Sequence, residues 1–381
     1  MSPLCLAALA SLVLTGALAV DTTFRERLSR QAAPVLDAMP DMPTDTRGNA
    51  ITNLTVFMLP HSHDDTGWQR TVDQYYVEQV RYIYDSVVSE LRKDSRRKFI
   101  FVETAYFMRW WREQSEGVRA ATKQLHKNGQ IEWVNGGWCM ADDASPSADG
   151  QIDQNTLGHR YIQDIFGVQP KYAWHIDPFG LSSSYALWFK QMNYSGWVFN
   201  RVDTRLKDLW HNDTHLQFQW KPAGSGANDG IFAHVLDTHY GAPELTYKGF
   251  HFHFEWEVFG GLGGGSAEGS QVPVSTTRPL YGDGNAGSPF YNATAPGTPN
   301  PACAPSSTAH PWSSTSGGEC VPEAFVAMTR LRASFYKLGA PYQNLPPGHA
   351  AILVPFGDDM KVTLMPALAM PASAALSPLI F

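Results

Sequence analysis

The apolar and polar positions of the chain alternate between two periods. Short apolar runs rich in Val, Ile, Phe and Trp occupy 54–59, 98–103, 131–134, 171–176, 196–199, 230–236 and 350–355. Several are continuously apolar, as strands are when a parallel sheet is covered on both faces. Between them the period becomes helical. In 74–92, Tyr76, Val80, Ile83, Tyr84, Val87 and Leu91 recur on one face. In 153–166, Leu157, Tyr161, Ile162 and Ile165 do the same, with Gly167 placed to cap the helix. In 323–338, Phe325, Met328, Leu331, Phe335 and Leu338 lead to Gly339. Strand alternating with helix predicts an α/β domain with a mainly parallel sheet.

Folds of that kind place their sites at the C-terminal ends of the strands. Here every such end is polar: His61-Ser62-His63-Asp64-Asp65, Glu103-Thr104, Asn135-Gly136-Gly137-Trp138, His175-Ile176-Asp177, Asn200-Arg201, Asp237-Thr238-His239 and Gly357-Asp358-Asp359. The first is the densest, with two imidazoles and two carboxylates just before Thr66-Gly67-Trp68. His63 and Asp65, two apart, fall on one side of an extended chain, so both can face one ion, and Asp177 can complete the set. Zinc accepts imidazole nitrogen and carboxylate oxygen and keeps an open position where it is catalytic. The bland alternatives are a hydrogen-bonded loop histidine at His63 and a turn aspartate at Asp177-Pro178.

Composition narrows the class. The 381 residues are 43% hydrophobic, enough for one large domain or two ordinary ones, and the net charge of −7 argues against nucleic acid as a partner. Aromatic residues make up 12%; core packing explains most of them, and sugar stacking is a further use for flat rings. The uncharged run 4–20 ends in Ala17-Leu18-Ala19 and reads as a signal peptide over 1–19, with an uncleaved anchor as the competing reading because its start lacks Lys and Arg. Sequons at Asn53, Asn193, Asn212 and Asn292 fit a glycoprotein of the secretory route, delivered to a lysosome or vacuole or outside the cell. In that oxidising setting a Cys303–Cys320 bridge is expected, with Cys139 a buried thiol. After an N-terminal segment over 20–50, the α/β domain is expected over 51–258 and 321–360. It is interrupted by a Gly/Ser/Pro/Thr-rich disordered insertion at 259–320 and followed by an Ala/Pro-rich tail at 361–381. The prolines of the tail argue against a membrane span, and a lipid-anchor signal is a third reading of it.

The stretch 61–76 (HSHDDTGWQRTVDQYY) resembles the first signature of the retaining α-mannosidases of glycoside hydrolase family 38. The stretches 101–140 (FVETAYFMRWW…EWVNGGWCM), 174–180 (WHIDPFG), 198–203 (VFNRVD) and 357–359 continue the likeness in the same order, with wording closer to the lysosomal acid branch. The resemblance implies a seven-stranded, mainly parallel, barrel-like α/β domain and one zinc ion per chain. It implies that His63, Asp65 and Asp177 are zinc ligands, Asp177 also the nucleophile, and Asp359 the general acid/base. Arg201 would steady Asp177, Trp68 and Phe179 would shape the mannose pocket, and Asp358 and Tyr240 would contact the sugar. The implied substrates are mannose-containing oligosaccharides, hydrolysed through two carboxyl groups.

Three departures qualify the resemblance. The family has a further zinc-ligating histidine beyond the acid/base aspartate, whereas no histidine follows His349 here, which predicts weaker metal binding. The family's helical and β-rich C-terminal domains are not represented, and Leu181 stands where the family usually has histidine. Two other functions compete: a zinc polysaccharide deacetylase, which has no use for Asp359, and a glycan-binding remnant that does not turn over.

Overall fold

The computed structural model describes residues 34–222, 226, 230–241, 243, 245–247, 250–252, 320–339 and 345–362. The expected signal peptide, the first part of the N-terminal segment, residues 253–258 of the expected α/β domain, the 259–319 part of the insertion, the tail from 363, the Asn292 sequon and the Cys303–Cys320 pairing lie outside these residues. Strands are β1 (Val35–Leu36), β2 (Asn53–Pro60), β3 (Phe99–Phe101), β4 (Ile131–Trp133), β5 (Tyr172–His175), β6 (Gly196–Phe199), β7 (Gln217–Trp220), β8 (Ile231–Val235), β9 (Leu245–Tyr247), β10 (Phe250–Phe252), β11 (His349–Asp358) and β12 (Lys361–Val362). Helices are α1 (Val72–Tyr75), α2 (Arg81–Leu91), α3 (Thr104–Glu113), α4 (Glu116–Lys127), α5 (Ala148–Phe166), α6 (Ser183–Gln191), α7 (Thr204–Asn212) and α8 (Cys320–Ala333).

All seven apolar runs form strands, but they do not form one ladder. β2 pairs with β11, β3 with β4, and β5 with β6 and β6 with β8, all in parallel, giving three separate hydrogen-bonded groups. β7 and β12 run antiparallel at their edges, and β1, β9 and β10 make a small sheet of their own. The expected α/β class is present, and among the described residues its sheets are small and mixed rather than joined in the one continuous ladder of a closed seven-stranded barrel. What the parallel groups share is an interior. Ile100, Val134, Trp174 and Leu236 pack in one buried cluster joined by Leu59, Val198 and Leu353, so each of the seven runs contributes to it.

The helix expected over 74–92 is present in three pieces. α1 opens on a Thr71 cap, a π-helical turn follows at Tyr76–Val80, and α2 completes it. Thr71 accepts from the Gln74 amide while the Gln74 side chain takes the Thr71 amide, a reciprocal cap that fixes where the helix starts. α5 ends at Gly167 with φ 73, the left-handed conformation that favours glycine at this position. α8 stops at Ala333, short of the expected Leu338, because Tyr336 leaves the helix to bridge His215.

Two larger clusters clamp the strands. One joins β2, β5, β6, β8 and β11 to α6 and α8 around Trp197, whose ring meets His175, Phe189, Phe199 and Trp220. The other joins β3 and β4 to α2–α5 around Phe107, which lies 4.4 Å from Trp133. Full burial of such rings stabilises the fold by roughly 1.5–3 kcal/mol each or more, so core packing accounts for most of the aromatic content. Among the described residues no helix is long and apolar enough to cross a membrane.

Candidate active site

The site begins where β2 and β11 end. Their register runs from Asn53↔His349 to Pro60↔Phe356 and continues beyond the ladder as an isolated parallel pairing of His63 with Asp359. The His63 amide donates to the Asp358 carbonyl at 3.1 Å, and the Met360 amide donates to the His63 carbonyl at 2.9 Å. Gly357 permits this closeness, because a Cβ there would stand 2.1 Å from the His61 carbonyl oxygen. Strand pairing thus carries Asp359, distant in sequence, to the side of the first polar cluster.

His63 is buried, and its Nε2 has no hydrogen-bond partner. It faces Asp65 Oδ1 at 3.2 Å and Asp177 Oδ2 at 3.5 Å. The three candidate donor atoms lie within 4.8 Å of one another, a set of one imidazole and two carboxylates that a divalent cation fits. Burial opposes a charge on His63, but Asp177 and Asp65 outweigh it and raise the imidazole well above its usual range, as expected of a strongly negative recess. The Tyr106 hydroxyl donates to the Asp65 carbonyl, anchoring the loop from the α3 side.

Asp177 follows β5 at its C-terminal end. Its Oδ1 accepts from Arg201 Nε at 2.8 Å, Arg201 Nη2 at 2.5 Å and the Tyr240 hydroxyl at 3.1 Å. Partial burial pushes its carboxyl up, but His63 and Arg201 outweigh that and hold it at about 2. The same Tyr240 oxygen lies 2.7 Å from Asp359 Oδ1, so its one hydrogen is shared between the two carboxyls. Both Oδ1 atoms therefore sit within hydrogen-bond reach of one hydroxyl oxygen. Asp359 stands at the rim with an open outer edge and reaches inward to buried Tyr240. Burial of the carboxyl, with the charges of Asp65 and Asp177, raises its pKa against the opposing pull of Tyr240 and His63.

The structure thus brings together His63, Asp65, Asp177, Arg201, Tyr240 and Asp359. Asp358 is adjacent, and its carboxylate accepts from the Asp359 amide at 2.9 Å. Phe179 and Trp68 are 75% and 69% exposed, unusual for rings in this aromatic-packed protein, and of the two Phe179 is held against a site residue. The Arg201 guanidinium lies over the Phe179 ring at 4.3 Å, so one arginine touches both the ring and Asp177.

Residues 53–294 match the profile described as the glycosyl hydrolases family 38 N-terminal domain. The chain belongs to this family. Within family 38, it is similar to "Alpha-mannosidase B" of Dictyostelium discoideum, 40% identical over 206 residues, covering 51% of this chain and 20% of that relative. It is also similar to "Lysosomal alpha-mannosidase" of Mus musculus, 41% identical over 211 residues, covering 50% of this chain and 20% of the relative. The chain thus spans about a fifth of the length of these relatives. Among solved structures it is similar to an alpha-mannosidase from Enterococcus faecalis V583, with 13% identity and a TM-score of 0.48, covering 82% of this chain and 25% of that one.

Two supporting residues in this family 38 chain were not singled out by their sequence. Tyr106 holds the Asp65 loop, and Lys207 of α7 donates to the Asn200 carbonyl, the Asn200 side chain and the Thr238 carbonyl. Neither lies in a strand-end cluster. Tyr106 reads as one more apolar helix position, and α7 has no fully buried residue whose periodicity would mark its inner face.

Proposed function

We propose that the chain is the catalytic part of a retaining α-mannosidase that removes terminal α-D-mannose from N-glycans or free oligosaccharides. The observation that carries this reading is the single Tyr240 hydroxyl within reach of both Asp177 and Asp359 beside the His63–Asp65 recess, which supports two carboxyl groups acting on one sugar. Asp177, kept ionised by Arg201, attacks the anomeric carbon as Asp359 gives its proton to the departing glycosidic oxygen. The product is a mannosyl ester on Asp177 and a free alcohol. Asp359, now a carboxylate, takes a proton from water as that water attacks the anomeric carbon, releasing mannose of retained configuration and restoring both acids. In this reading the exposed rings of Phe179 and Trp68 meet apolar faces of the sugar and Asp358 accepts from one of its hydroxyl groups. A divalent cation held by His63, Asp65 and Asp177, zinc in this reading, would supply positive charge that grips vicinal sugar hydroxyls.

The relatives named as lysosomal α-mannosidases and the sequons support a route through the secretory pathway to a lysosome-like compartment or the exterior. The test is hydrolysis of an aryl α-mannoside by residues 20–381 with added zinc. Asp177→Asn is expected to abolish turnover, and Asp359→Asn to remove it for poor leaving groups. Full activity of Asp359→Asn together with release of acetate from an acetylated sugar would favour a deacetylase instead. Mannose binding without turnover in the unsubstituted chain would favour the remnant.

A further inference from the structure

Asp177 Oδ1 accepts from two residues that reach it from different segments. Arg201 follows β6, and Tyr240 follows β8. Neither segment is helix or strand at the point where it carries its donor, so something else must fix the backbone there. Lys207, in the first turns of α7, meets both. Its Nζ donates to the Asn200 carbonyl at 3.1 Å and the Asn200 Oδ1 at 2.8 Å, immediately before Arg201. It also donates to the Thr238 carbonyl at 2.7 Å, two residues before Tyr240. These three bonds use all three N–H donors of the ammonium. Asn200 is buried, so its two oxygens depend on such a partner.

The Tyr240 segment is held from other sides as well. His61 Nε2 lies 3.0 Å from the Tyr240 carbonyl, and Arg332 of α8 pairs with buried Asp237. The two segments are paired where they leave the sheet, the Leu236 amide donating to the Phe199 carbonyl at 2.9 Å, and they meet again on Asp177; between those points Lys207 ties Asn200 to Thr238.

We propose that Lys207 is a positioning residue of this site, an ammonium clasp that sets Arg201 and Tyr240 together and so fixes how Asp177 is held. The proposal rests on the mannosidase reading for its catalytic consequence and on geometry alone for the clasp. Burial lowers the Lys207 ammonium to about 8, opposed by Asp237 and reinforced by Arg332 and Arg201, so its charge is retained at neutral and acid pH. Lysine suits the task because a compact ammonium can meet three acceptors converging from different directions, whereas a planar guanidinium directs its donors in a fork.

The test replaces Lys207 with Met and with Arg and reads two quantities. Hydrogen exchange by mass spectrometry is expected to speed up in Lys207→Met in peptides covering both 199–203 and 236–241, with β2 and β4 unchanged. Turnover of an aryl α-mannoside is expected to fall about 10–100-fold in kcat with KM nearly unchanged, as for a small misplacement of catalytic groups. Lys207→Arg is expected to recover part of both losses together, which general loosening of α7 would not produce. Faster exchange in α7 alone, in one segment alone or nowhere overturns the clasp. Loosening of both segments with kcat intact overturns the positioning role. A chain that shows no turnover before any substitution contradicts the mannosidase reading, while the exchange comparison still decides whether Lys207 joins the two segments.

Discussion

Asp177 is subject to opposed demands. It is half-buried, which favours the neutral acid, yet the nucleophile role proposed for it needs the carboxylate, and His63 and Arg201 secure that form at about 2. Asp359 is shifted the other way, raised by desolvation of the carboxyl where it reaches inward and by the charges of Asp65 and Asp177, while the residue keeps an exposed edge. Two like groups whose surroundings push them apart are what a nucleophile and a proton donor require. Tyr240 is the group common to both, with one hydroxyl in reach of each carboxylate. Tyr240→Phe removes that hydroxyl and keeps the ring against His63. A hydrogen bond to a charged group contributes about 1.5–3 kcal/mol, so kcat for an aryl α-mannoside is expected to drop roughly 10–100-fold, read by steady-state kinetics.

At the scale of elements, pairing between β7 and β8 produces a pH-sensitive contact away from the site. Gln217 lies opposite His234 in the register, and its side-chain amide is 2.9 Å from His234 Nδ1. Burial lowers His234 to about 4, with Asp237 opposing and Arg332 assisting. The unfolded chain takes up a proton near pH 6.5, and the folded chain takes it up only near pH 4. The stability contributed by neutral His234 is therefore complete above about pH 6.5 and lost as pH falls toward 4, on the order of 3 kcal/mol in total. His234→Gln is expected to shrink the difference in Tm between pH 7 and pH 4.5, measured by calorimetry.

Across the whole molecule, the site is an intersection of separate hydrogen-bonded groups. β2 and β11 bring His63 to Asp359, β5 delivers Asp177, and the ends of β6 and β8 supply Arg201 and Tyr240. A cation bound by His63, Asp65 and Asp177 would cross-link two of these groups and stabilise only the folded state. A ligand a hundredfold above its Kd contributes about 2.7 kcal/mol, so chelation is expected to lower Tm by several degrees and zinc to restore it. Asp65→Asn is expected to blunt that response, observable by calorimetry without any assay of activity.

The strands were legible in the sequence because a buried parallel strand leaves a continuous apolar run, as 54–59 and 350–355 do. Helices with a strong apolar face were legible for the same reason, whereas α7, with no fully buried residue, left little trace. The ligand-type residues His63 and Asp65 were legible because they lie two apart on one strand end. What the sequence could not carry was which groups share an atom. Tyr240 bonding to both acids, Lys207 spanning two loops and the division of the strands into separate ladders depend on distances between segments remote in the chain. Local periodicity records which face of an element is buried, and it contains no term for what another element places against that face.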